Sequence, residues 1–314
     1  MAELSRSEAW RREYRSRRYL EHLSKGELDR RAADIMTNLL ALTPEGRIGL
    51  KDAAGEGERW LQLWTHVLEA FALRFGPYPA GFAKEISATL QLPKTTFPAV
   101  PPGYKALSRL DLKPGGILLK FGKREHLLPA LERGALRLTP ASSYNDPSLN
   151  AAVRDDELSF ETITPPAMFT LEVLDPTGGR PIPVRPASPL RVRHTLSTNY
   201  YVFCLSTAAD HRLFGDFEAD ACLVLRSPRE FLTRLVNAAK AGLPGWRSGG
   251  GPVEYLDPLA TRNGALHIPL VKHFRYTYQW EYRVYWLPDA PQAKINPVFV
   301  ELGALDDIGE LVVL

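Results

Sequence analysis

Hydrophobic residues recur along this chain at two different periods, and the change falls near residue 100. Before it the spacing is helical. Ser5 or Ser7 can cap a helix through "EAWRREYRSRRYLEHL" (8–23), with Gly26 as its stop. Leu28, Ala32, Ile35, Met36, Leu39 and Leu40 then line one helix face. "GERWLQLWTHVLEAFALRF" (57–75) predicts a third helix and "AGFAKEISATLQL" (80–92) a fourth. Residues 1–100 therefore read as a helical N-terminal region.

Residues 101–114 are proline-rich and read as a linker, because proline suits neither helix interiors nor central strands. From 115 to 314 short apolar runs bounded by turn residues predict strands. They are "GILLKFG" (116–122), "ALRLTP" (135–140), "MFTLEVLD" (168–175), "RPIPVR" (180–185), "YYVFCLST" (200–207), "ACLVLR" (221–226), "PVEYL" (252–256), "HIPLV" (267–271), "YTYQWEYRVYW" (276–286) and "NPVFVEL" (296–302). "REHLLPALERG" (124–134) and "SPREFLTRLVNAAKAG" (227–242) predict helices. Strands and helices do not alternate strictly, which points to an α+β fold.

Composition narrows the classes. A formal charge of +3 is too small to imply a nucleic-acid partner alone. Cys204 and Cys222 supply neither a disulfide framework nor a metal-ligand set. No apolar run suits a membrane span, and no signal peptide is evident, so the expectation is a cytoplasmic protein without a membrane partner.

The segment 276–286 carries the most chemistry. At period two, Tyr278, Trp280, Tyr282, Val284 and Trp286 share one face, and Gln279, Glu281 and Arg283 the other. Side chains two apart can converge on one ligand; the same pattern also suits the wet face of an edge strand. Lys120 sits inside an apolar strand, where it faces a cleft, snorkels or guards an edge. Ser206 and Thr207 end another strand, and Tyr144 lies beside an Asn-Asp-Pro turn. "SGGG" (248–251) reads as a flexible loop, and "RDDEL" (154–158) as a solvated acidic turn. Phosphate-loop, nucleophile-elbow and zinc-protease motifs are missing from the sequence.

Taken in order, "LLKF", "LERGALRLTPASSYNDP", "FCLS", "LFGDF", "VEY" and "WEYR" resemble the bacterial domain-of-unknown-function family 2971 over residues 115–290. Gln279 stands where that family's late motif begins with glutamate. A remoter likeness is to ADP-ribosyltransferases, through the order basic strand, Ser-Thr strand, [Glu/Gln]-x-Glu strand. That resemblance implies a mixed, split β-sheet domain binding NAD as substrate, with no metal. It implies Glu281 as the catalytic glutamate and Gln279 as the acceptor guide. Lys120, Ser206 and Thr207 would form the NAD pocket, Tyr144 and Tyr201 would clamp nicotinamide, and Arg283 would support Glu281. Lysine at 120 cannot make the bidentate fork of an arginine.

The expected activity is ADP-ribose transfer to a protein or nucleic acid, as in an intracellular toxin or phage-defence effector. Two alternatives stay open. One is a metal-dependent nuclease using Asp146, Asp155, Asp156 or Glu157 with Lys120. The other is a non-catalytic module binding a nucleotide or partner through its N-terminal arginines.

Overall fold

The computed structural model describes residues 5–43, 45–76, 102–110, 116–174, 178–260 and 264–314. The helix expected over 80–92 lies outside the described residues. Ser5 caps α1 (Arg6–Arg17), which ends at Arg18 in the left-handed conformation rather than at Gly26. Gly26 instead falls inside α2 (Lys25–Leu39), because Ser24 and Glu27 close a capping box just ahead of it. Leu28, Ala32, Ile35 and Leu39 are buried at the predicted spacing. A short hairpin, β1 (Leu40–Leu42) with β2 (Ile48–Leu50), leads to α3 (Glu56–Phe75).

The segment read as a linker contains α4 (Pro102–Ser108). Pro102 opens this helix, where a missing N–H costs nothing, and Tyr104 and Leu107 anchor it in the core. The strands of the C-terminal part are β3 (Leu118–Gly122), β4 (Ala135–Pro140), β5 (Ser159–Thr164), β6 (Leu171–Val173), β7 (Ile182–Val184) and β8 (Leu190–Thr195). They continue with β9 (Tyr201–Ser206), β10 (Ala221–Leu225), β11 (Trp246–Pro252), β12 (Glu254–Leu256), β13 (Val271–His273), β14 (Glu281–Pro288), β15 (Val298–Glu301) and β16 (Gly309–Val313). Helices α5 (Arg124–Arg133), α6 (Arg212–Asp216) and α7 (Pro228–Gly242) complete the α+β architecture.

Eight strands form the main sheet, in the order β11-β14-β9-β3-β10-β16, with β4 and β15 branching from β9. All of its pairings are antiparallel; β12 and β13 make a separate parallel pair. The sheet divides beside β9. Its first residues pair with β4 (Thr139↔Val202, Pro140↔Tyr201), and its last pairs with β3 (Leu119↔Ser206). Between these contacts the β9 backbone faces a gap.

Alternation explains how the two faces fill. Leu118, Phe203, Leu205, Leu223, Val284 and Trp286 pack under α5 and α7. Leu119, Phe121, Cys222 and Val224 pack against α4 and α6 on the opposite face. Full burial of a Leu- or Phe-sized side chain stabilises by about 1.5–3 kcal/mol, so these two layers hold the sheet. The N-terminal helices share a third cluster with Leu259 and Phe274 of the C-terminal part. They are joined to the sheet region through a common core.

"SGGG" is part of β11, not a loop: Ser248–Gly251 pair with Arg283–Trp286 of β14. A Cβ at Gly249 would lie 2.4 Å from the Tyr285 ring, and one at Gly250 2.8 Å from the Arg283 backbone oxygen, so glycine lets β11 lie close against β14. β14 is consequently an interior strand, flanked by β11 and β9.

Candidate functional site

Tyr276 to Trp280 do not belong to the strand that alternation predicted. Residues Phe274–Gln279 form a 3-10 turn, and Trp280 adopts φ 45°, ψ 49°. A left-handed non-glycine residue costs about 1–2 kcal/mol, so the corner needs support. Thr207 supplies it: its backbone N–H and its hydroxyl both donate to Trp280 O, at 2.8 and 3.0 Å. Ser206 Oγ lies 2.8 Å from Gln279 O and 2.9 Å from Ala208 O, sharing one proton between two carbonyls. Asn38 of α2 secures the other side. Its Oδ1 accepts from Tyr278 N–H, and its Nδ2 donates to Phe274 O and Arg275 O.

Beyond the corner, β14 begins with Glu281 opposite Ser206 and Arg283 opposite Cys204. This face is not wet. Glu281 is 6% exposed and Arg283 0%. A buried charge must be paired, and here the partners come from three elements. Arg283 Nε donates to Glu281 Oε1 at 2.7 Å, and its Nη2 to Glu157 Oε1 at 2.6 Å. Lys272 Nζ on β13 donates to Glu281 Oε2 at 2.9 Å and to Gln279 Oε1 at 3.1 Å. Gln279 Nε2 donates to Ala152 O, and Tyr255 OH accepts from Glu281 N–H.

Two carboxylates and two cations thus share one dry cluster, with opposite consequences for the acids. Burial opposes ionisation of Glu281, but the Arg283 and Lys272 charges outweigh it and hold this carboxyl well below the usual range. For Glu157 burial prevails over the same two cations and pushes the carboxyl up to about 7. Glu157 Oε2, 2.6 Å from Arg283 Nη1, is out of line for a hydrogen bond. "RDDEL" is therefore no solvated turn at its fourth residue. Asp156 does remain outward, paired with Arg193.

Lys120 comes from the other side of the split. Its strand is interior rather than an edge. Nζ donates to Cys204 O at 2.8 Å, the carbonyl left without a strand partner by the gap, and stands 4.9 Å from the Phe203 ring centre. Burial lowers its pKa.

A cavity of about 230 Å³ opens where these groups meet. Lys120, Tyr144, Ser206, Gln279 and Glu281 line it, together with Glu157 and Lys272. Three other expected site residues do not reach it. Tyr201 points to the opposite sheet face, packs on Trp246 and donates to Asn296 O, as its odd position on β9 requires. Thr207 faces the groove beside α7 and braces Trp280. Arg283 lies behind Glu281. A hollow of about 460 Å³ lies on the other side of Lys272. Its Arg31, Arg191 and Arg193 are already paired with Asp257, Glu161 and Asp156.

The residues weighed for a nuclease have other partners. Asp146 caps its own loop at Ser148, while Asp156 and Glu157 hold different arginines. Among the described residues no group of three His, Cys, Asp or Glu side chains is placed to hold a metal ion. Nor is any described helix long and apolar enough to cross a membrane.

Sequence reasoning missed Lys272 and Asn38, and named Glu157 only as a candidate metal ligand of a nuclease. Lys272 carried the same signal as Lys120, a lysine within the apolar run "IPLVKHF". No family model, curated protein or solved structure matches this chain.

Proposed function

We propose that this cavity receives the nicotinamide–ribose end of NAD and that the protein transfers ADP-ribose to an acceptor. The observation carrying this reading is that Lys120, Tyr144, Ser206, Gln279 and Glu281, drawn from four separate segments, line one cavity. In the transfer, the C1′–nitrogen bond breaks and its electron pair leaves with nicotinamide. A lone pair of the acceptor forms the new bond to C1′, and the acceptor's proton passes to solvent. Positive charge grows on the ribose as the bond breaks. Glu281 is an anion held in place before the reaction, so it needs no reorganisation to meet that charge. Gln279 stands beside it to orient a ribose hydroxyl or the acceptor.

The size of the cavity supports a partial fit. Pockets for whole drug-sized ligands run to roughly 300–1,000 Å³. A volume of about 230 Å³ suits one ring and its sugar, with the rest of the dinucleotide outside the cavity. Tyr144 contributes an aromatic wall.

Radiolabelled NAD incubated with the protein and cell lysate tests the proposal. Wild type should transfer label to protein or nucleic acid. Glu281→Gln, which keeps the volume and removes the charge, should bind NAD calorimetrically yet lose at least 100-fold in transfer, about 2.7 kcal/mol. Equal transfer by both proteins removes Glu281 from the chemistry.

One observation favours a second reading. Both Glu281 oxygens already accept from cations, Arg283 and Lys272, which dilutes the negative charge offered to a substrate. On this reading the cavity binds a nucleotide without turnover. Calorimetry would then show binding by wild type, with no nicotinamide released on long incubation.

A further inference from the structure

Between β5 and β8 the chain leaves the body as a hairpin of β6 and β7, and its register sorts the side chains by chemistry. Leu171 pairs with Val184 and Val173 with Ile182, placing all four on one face. Their exposures are 45%, 40%, 55% and 59%. Leu190 and Val192 of β8 are exposed as well, at 42% and 39%. No residue of β6 or β7 is buried. A two-stranded hairpin without a covered face is marginal by itself, and a contiguous exposed apolar patch marks an interaction surface.

The surrounding charges indicate what covers it. Arg180 and Arg185 bracket β7, and neither has an ion pair among the described residues. Arg191 and Arg193 on β8 are neutralised by Glu27 with Glu161, and by Asp156. The one carboxylate within β6 and β7 is Glu172, on the face away from the apolar side chains. Two copies stacked through this face would bring unpaired arginines together, which is repulsive. Pro183 removes an N–H from β7, and Pro181 precedes it, so this strand has a poor edge for pairing with another strand. The sequence joining β6 to β7 includes Gly178, Gly179 and Arg180, a polar stretch unsuited to entering lipid.

We infer that the apolar face of the β6–β7 hairpin docks a partner protein that offers apolar side chains flanked by carboxylates. The inference is independent of the NAD reading, since none of these residues lines the candidate cavity.

The test uses the full chain and two fluorescent 12-residue peptides, one alternating valine with glutamate and one alternating valine with lysine. By anisotropy, wild type should bind the glutamate peptide at least 10-fold more tightly than the lysine peptide, and more weakly in high salt. Val173→Glu with Ile182→Glu should abolish that binding, and Arg180→Glu with Arg185→Glu should weaken it at least 10-fold. Both double variants alter exposed positions, so their thermal unfolding should match wild type, which shows that any loss is local. Equal binding of both peptides, or binding unchanged in the variants, overturns the inference. So does an absence of peptide binding. Concentration-dependent self-association lost in Val173→Glu/Ile182→Glu would assign the face to a second copy. Variant-sensitive binding to phosphatidylserine vesicles would assign it to a lipid surface.

Discussion

Replacing Arg283 with methionine should be the most damaging single substitution in the cluster. Arg283 is fully buried and its three nitrogens serve Glu281, Glu157 and Pro269 O. Methionine fills much of the volume but leaves two buried carboxylates with Lys272 as their shared cation. Removing one partner of a buried ion pair costs about 3–5 kcal/mol, because the remaining charge stays in a dry site. Two carboxylates lose a partner here, so a loss near the upper end, about 4–5 kcal/mol, is expected. At roughly 1.5 °C per kcal/mol for a chain of this size, the melting temperature should fall by roughly 6–8 °C. Chemical denaturation with guanidinium measures the free energy directly. The second arm adds Glu157→Gln to Arg283→Met. If the penalty comes from a stranded carboxylate, the double variant should be more stable than the sum of the singles by at least 1 kcal/mol, within the ~0.5–3 kcal/mol range of coupled neighbours. A loss below 1 kcal/mol for Arg283→Met, or strict additivity in the double variant, would refute a desolvated, mutually dependent cluster.

Three further outcomes follow from the same contacts. Glu157 has its carboxyl raised from 4.5 to about 7, so between those values the folded state binds more protons than the unfolded one, and stability should fall as pH rises through that window. Glu157→Gln should remove that slope in pH-dependent unfolding. Glu281, held low, acts with the opposite sign: its contribution is present above about pH 4.5 and is lost as pH falls further. Asn38→Leu removes hydrogen bonds to Phe274, Arg275 and Tyr278. It should destabilise by about 2 kcal/mol or more and weaken NAD binding in calorimetry, because the turn carrying Gln279 loses its anchor.

How much of this was legible follows from what kind of interaction decides each feature. The α+β class and most strands were readable because burial imposes a period that survives in sequence, as in β9 and β10. Lys120, Gln279 and Glu281 stood out as polar residues in apolar surroundings, and they do meet at one cavity. The corner at Trp280 was invisible. Its left-handed backbone depends on Thr207 and Asn38, which lie 73 and 242 positions away along the chain, and local alternation continues straight through it. The same limit hid β11: three glycines signal freedom in isolation, whereas here Gly249 admits the Tyr285 ring and Gly250 the backbone of Arg283. Glu157 looked like one member of an acidic run because its partner, Arg283, is far away in sequence. Tyr201 was misplaced by disregarding the alternation of its own strand, which puts it opposite Ser206.

Nicotinamide release from NAD in the presence of a metal chelator tests the central claim most directly. Wild type should release nicotinamide, the chelator should not matter, and Glu281→Gln should retain NAD binding while losing release by at least 100-fold. Release that is equal in the two proteins, or no NAD binding by folded wild type, would contradict the assignment of this cavity.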